Sequence, residues 1–121
     1  MKEERDEHLE TALVAYLEMM EKQEYFEAHE VLEGVWYPIR KKRDDLANLL
    51  RGLINAAVAF EHLKRGKPGA VERAQKVMRS YDRYAPLCET AVLEATLFRQ
   101  ACKEVRLLKE RQSEVFNVLV S

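Results

Sequence analysis

Apolar residues recur at three- and four-residue steps along most of the chain, and the pattern predicts about five helices. From about Glu4 to Glu21, the residues Leu9, Ala12, Leu13, Tyr16, Leu17 and Met20 form a one-sided stripe. Lys22 to Glu24 reads as a short connection with no strong breaker. A second helix covers about Tyr25 to Tyr37 and stops at Pro38, because proline disfavours helical geometry in the residue before it. A third begins near Asp44 or Asp45, where an acidic residue suits a helix N-terminus, and continues to about Arg65 with Gly66 as its C-cap. The fourth starts near Pro68 and ends around Tyr84. The fifth starts near Pro86 and reaches as far as Val120, with Phe98, Cys102, Val105 and Leu108 along one side.

These elements imply an all-α fold, a compact bundle of about five helices in a single domain spanning residues 1–121. That length is enough to bury a real core. Four Gly and three Pro are too few for a turn-rich β protein. No internal repeat or low-complexity segment divides the chain.

Two helices carry polar residues where apolar ones are expected. On a wheel of about 100° per residue, Tyr25, Phe26, Leu32 and Trp36 share one face of the second helix, with His29 in the middle and Glu33 one turn on. Glu27, Val31 and Gly34 fall opposite. A glutamate among aromatics is costly unless it is paired, and His29 and Glu33 stand four residues apart, within reach of each other. The third helix is apolar around most of its circumference, which predicts a central position. One narrow line breaks it: Asn48, Arg51, Asn55 and His62. Gly52 and Ala59 beside that line would let another helix approach closely. The expected partner is the His29/Glu33 line, with Arg51 neutralising Glu33 or Glu30.

Charge and cysteine content narrow the function classes. With a formal net charge of -1 the chain lacks the overall basic excess of a phosphate binder, so no nucleic-acid partner is expected. The runs Arg40–Arg43 and Lys64–Lys67 read as solvated helix ends. Cys88 and Cys102 fit no common zinc motif; both fall in one predicted helix, about 21 Å apart, so they should not meet. Buried reduced thiols point to a cytoplasmic protein. The charged N-terminus shows no signal peptide, and no apolar stretch is long enough to span a membrane. The apolar run at Val115–Val120 is expected to dock on the body or to join copies of the chain through the C-terminal helix, as a homo-oligomer.

His29-Glu30-Val31-Leu32-Glu33 is close to the H-E-x-x-H zinc motif, with Glu33 in place of the second histidine. With His62 it would make a two-histidine, one-carboxylate set for zinc, manganese or iron. The Glu-x-x-His motif of di-iron bundles is absent, since Phe26 and Ala59 stand three before the histidines. No phosphate loop and no serine elbow occur.

Two segments together resemble the prokaryotic domain-of-unknown-function family 309, a group of small helical proteins. They are Tyr25–Trp36, which reads YFEAHEVLEGVW, and Arg51–His62, which reads RGLINAAVAFEH, continuing to Gly66, Gly69 and Ala70. The resemblance covers about Tyr25 to Ala74 and carries the motif positions Glu27, His29, Glu30, Glu33, Trp36, Gly52, Asn55 and His62. Asn55 stands where the family usually has Gln, and Lys67 where it usually has Asn. The resemblance implies a compact helical fold, and the family has been labelled a predicted metal-dependent hydrolase.

Two functions from different classes follow. In the first, a divalent metal sits on His29, Glu33 and His62, Glu30 is the general base for bound water, and Trp36, Arg51 and Asn55 line the site. In the second, the chain is a non-catalytic interaction or oligomerisation module whose polar cluster fixes helix register.

Overall fold

The computed structural model describes residues 2–90 and 94–116 of the chain, with side chains from residue 8 onward. Among them there is no strand. The helices are α1 (Lys2–Glu21), α2 (Tyr25–Trp36), α3 (Asp45–Arg65), α4 (Ala70–Tyr84), α5 (Ala95–Arg111) and the short α6 (Ser113–Phe116). Single 3-10 segments at Tyr37–Lys42 and Ala85–Glu89 link α2 to α3 and follow α4. Of the described residues, no helix is long and apolar enough to cross a membrane.

α3 is central, as its all-round apolarity predicts. Its buried residues, among them Leu49, Leu50, Leu53, Ala57 and Phe60, point in several directions at once, and α4 and α2 pack on it most extensively. α1 lies on α2 and α5. It is fastened to the centre by Tyr16, fully buried, whose hydroxyl donates to the Leu53 carbonyl at 2.8 Å.

The predicted caps hold. Asp44 Oδ1 accepts from the Ala47 N–H at 2.9 Å, satisfying one of the donors a helix start leaves open. Gly66 ends α3 in the left-handed region at φ +61°, with its N–H on the His62 carbonyl.

Two boundaries differ from expectation. α4 starts at Ala70 behind Gly69, not at Pro68. The single long fifth helix is instead three pieces: the 3-10 segment around Pro86, α5 from Ala95, and α6. Glu94 precedes α5 at φ +51°, a conformation no helix can run through. Cys88 and Cys102 therefore lie on different elements, and packing brings both to the wall of one cavity. The 21 Å separation assumed one unbroken helix.

The beginning of the apolar C-terminal run docks on the body. Phe116 meets Phe60 edge-on at 5.6 Å between ring centroids, and Gln75 Nε2 donates to the Val115 carbonyl at 2.8 Å. The remainder of that run, residues 117–120, lies outside the described residues.

Candidate functional site

α2 buries Tyr25, Ala28 and Leu32, with Val31 and Val35 packed at the margin of the core. Its inward face is thus rotated by about 60° on the wheel from the one predicted. Phe26, counted as core in the sequence, is 42% exposed, and Val31, expected on the outer face, packs inward. His29 and Glu33 consequently sit at the rim of the interface, not in its centre, with side chains 18% and 48% exposed.

His29 is nonetheless held in place. Its Nδ1 lies 2.5 Å from the Phe26 carbonyl and its Nε2 3.1 Å from Glu33 Oε1. The ring packs edge-on against Phe26 at 4.9 Å, and the Arg65 guanidinium lies over the outer part of Phe26 at 5.6 Å. Arg65 is in turn paired with Glu61 through an Nε–Oε2 contact of 2.6 Å. The result is a surface brace of alternating charges and rings that ties α2 to the end of α3.

The two polar lines do not face each other. Asn55 turns to α4 and donates from Nδ2 to Ser80 Oγ at 2.8 Å, both residues half-buried. Gly52, beside it, is where α4 comes closest: a Cβ there would stand 3.3 Å from Tyr84 Cβ and 3.4 Å from Tyr81 Cα. The small residues of α3 admit a close neighbour as expected, but the neighbour is α4. Arg51 is exposed and pairs with neither Glu33 nor Glu30. Glu30 is exposed and His62 half-buried. No group of three His, Cys, Asp or Glu side chains placed to hold a metal ion occurs among the described residues. His29 and Glu33 offer two donors, and His62 does not complete a third position beside them. As arranged, the set does not fit a three-ligand metal site.

The residues that do converge are ones the sequence kept apart. Trp36 at the end of α2, Arg40 and Arg43 around the 3-10 segment, Arg51 on α3 and Tyr84 on α4 border an open cleft of about 500 Å³. A second hollow of about 230 Å³ adjoins it, sharing Arg51 and Tyr84 and adding Arg79 and Arg83. Trp36 and Arg51 were expected to line a site with His29, Glu33 and His62, which this cleft does not contain; Arg40, Arg43, Arg79, Arg83 and Tyr84 were assigned to no site. The one available signal was the four-residue step from Arg79 to Arg83, which places both on one side of α4.

The model of one protein family, described as Domain of unknown function (DUF309), matches residues 13–74. The match spans α1 from Leu13, α2, α3 and the first turn of α4. Comparisons with curated proteins and with solved structures give no match.

Proposed function

The chain belongs to the DUF309 family, and we propose that it is a non-catalytic helical module, acting through its surface and not through a reaction centre. The observation that carries this reading is the Asn55–Ser80 hydrogen bond at 2.8 Å. The amide that stood out as a site residue joins α3 to α4. Other polar groups at helix contacts are used the same way: Tyr16 ties α1 to α3, and Tyr81 donates to the Cys102 carbonyl across α4 and α5 at 3.1 Å. Semi-buried polar contacts of this kind fix which residues of two helices lie opposite each other.

A second reading, hydrolysis dependent on zinc, manganese or iron bound by His29, Glu33 and His62 with Glu30 as general base, has one observation in its favour. A metal-binding histidine commonly gives one ring N–H to a backbone carbonyl and turns the other nitrogen to the metal. His29 has this orientation, Nδ1 on Phe26 and Nε2 beside a carboxylate. It would need a third donor brought from elsewhere.

Thermal unfolding of the untagged protein separates the two. Asn55→Ala is expected to lose about 1 kcal/mol, because the Ser80 hydroxyl keeps its partial burial without its partner. His29→Ala, at the rim, is expected to lose less, as exposed ion pairs contribute little. Added zinc, manganese or ferrous iron should leave the midpoint of the wild type where it was. A rise in midpoint with one of these ions that His29→Ala abolishes would overturn the non-catalytic reading.

A further inference from the structure

The two adjoining hollows behind Arg51 form one groove, and its charged lining residues are all of one sign. The chain as a whole has 20 Lys and Arg against 21 Asp and Glu, so an unselected stretch of surface should mix both signs. A cavity of similar size does: along α5 it sets Asp82 and Glu89 among Arg99, Lys103 and Arg106, with Lys109 paired to Asp82 at 2.6 Å. The groove has no carboxylate in its lining. It has Arg40, Arg43, Arg51, Arg79 and Arg83, none of them in an ion pair among the described residues.

All five cations are arginines. A guanidinium meets a phosphate with two parallel N–H donors and keeps its charge at any physiological pH, which makes it the preferred residue for phosphate recognition. One of the five is held at a cost. Arg43 has φ +53°, an uncommon conformation for a non-glycine residue, and Asn48 Nδ2 reaches its carbonyl at 3.4 Å. Arg40 is stacked on Tyr37 at 3.6 Å and donates to the Tyr37 carbonyl, which fixes its charge at the rim. Trp36 and Tyr84, both half-buried, add aromatic walls.

The shape selects among phosphate-bearing ligands. A small-molecule pocket encloses most of its ligand. This groove is open along its length and continues from one hollow into the next, with arginines from three successive parts of the fold. That suits a chain of phosphates laid across it. Aromatic side chains beside a basic track are the means by which unpaired bases are held without sequence preference.

We propose that this groove, floored by Arg51 of α3 and walled by Trp36 and Tyr84, binds single-stranded nucleic acid. The arginines engage successive phosphates and the rings stack on bases. This reverses the expectation drawn from net charge, which cannot register how charges from distant parts of the sequence are gathered. The site is separate from His29 and Glu33 and does not depend on what they do.

Trp36 is the only tryptophan of the chain, so it reports on the groove directly. The full chain is titrated with ten-nucleotide oligo-U and oligo-dT, with a duplex of equal length, with ATP and with inorganic phosphate, following both Trp36 emission and the anisotropy of labelled oligonucleotide. One or both single strands should bind at low salt and change Trp36 emission, and which of them binds tells RNA from DNA. For four phosphate contacts, affinity should fall ~50-fold between about 50 and 200 mM salt. The double variant Arg51→Ala/Arg83→Ala should bind at least ~10-fold more weakly with a shallower salt dependence. Both side chains are exposed, so folding should be unaffected, and circular dichroism checks it. Arg99→Ala/Arg106→Ala, which removes equal charge from the α5 cavity, should bind as the wild type does. No binding of either single strand at 50 mM salt, equal loss in the two double variants, equal affinity for duplex, or binding confined to ATP or phosphate would each overturn the proposal.

Discussion

Cys102 and Cys88 show what burial does to single side chains. Both are buried, and withdrawal from water disfavours the thiolate: the Cys102 thiol is pushed up to about 12, and Cys88 is raised as well. The thiolate is the nucleophile, so two neighbouring thiols in this state are poor ones. An aromatic disulfide reagent at neutral pH should label native protein very slowly and titrate both thiols at once in denaturant; rapid labelling without denaturant would contradict the burial. The sequence did not say that these cysteines come together on one cavity wall. That placement depends on the break before α5, where Glu94, not glycine, takes the left-handed turn. His29 was misplaced for a similar reason. Phe26 carried much of the weight in locating the apolar face of α2, and a phenylalanine can lie half on the surface when a guanidinium and an imidazole cover its ring. The His29–Glu33 pair itself was legible, because a four-residue step in a helix fixes proximity whichever way the helix faces.

At the level of elements, the spacing of α3 and α4 depends on a missing side chain. Gly52 lies inside α3, where alanine would ordinarily be better by about 1 kcal/mol. Its added Cβ would press on Tyr84 Cβ at 3.3 Å, an atom fixed to the backbone of the opposing helix, with Tyr81 Cα and the Ser80 carbonyl oxygen already in van der Waals contact beside it. Gly34, inside α2, has nothing within 4 Å of the same position. Gly34→Ala is therefore expected to stabilise the protein by roughly 0.5–1 kcal/mol, and Gly52→Ala to forfeit that gain and destabilise it by about 1 kcal/mol, as overpacking does. Denaturant unfolding of the two variants should give opposite signs; a stabilised Gly52→Ala would mean that α4 can retreat freely. The boundaries of α3 were legible because Asp44 and Gly66 act on their own neighbours. The end of α1 at Glu21 was placed by where its apolar stripe stops, but what fixes it was not legible. It rests on Gln23 at φ +63°, whose carbonyl accepts from Lys64 Nζ at 2.7 Å, a partner 41 residues away. Likewise, the polar line of α3 could be read as a line, but nothing local says which of two neighbouring helices it will meet.

At the scale of the molecule, the groove was illegible from sequence because its arginines come from positions 40 to 83 and are gathered only when α2, α3 and α4 pack. The same assembly sets the response to alkali. Tyr16 joins α1 to α3 and Tyr81 joins α4 to α5, each through a hydroxyl that donates to a main-chain carbonyl. Burial raises both phenols well above the ordinary value of 10.0 and both thiols above 9.0, since a phenolate or thiolate would lose its water in the interior. Each group's value in the folded state exceeds its unfolded value, so the folded chain holds these protons more tightly than the unfolded chain does. The stability tied to them is complete below the ordinary values and drains away as pH rises past them, because the unfolded chain can then release protons the folded one must keep. The melting temperature at constant ionic strength should thus be level from neutral pH to about 8.5 and fall increasingly steeply above about 9. Lysine ion pairs also weaken in strong alkali, so the phenols are isolated by substitution. Tyr16→Phe should melt lower at neutral pH, by the loss of about 1 kcal/mol with its hydrogen bond, yet lose less than the wild type between about pH 9 and 11. Parallel alkaline slopes for the two proteins would show that Tyr16 ionises in the folded state as easily as in the unfolded one, and that α1 is not sealed against α3 as the hydrogen bond implies.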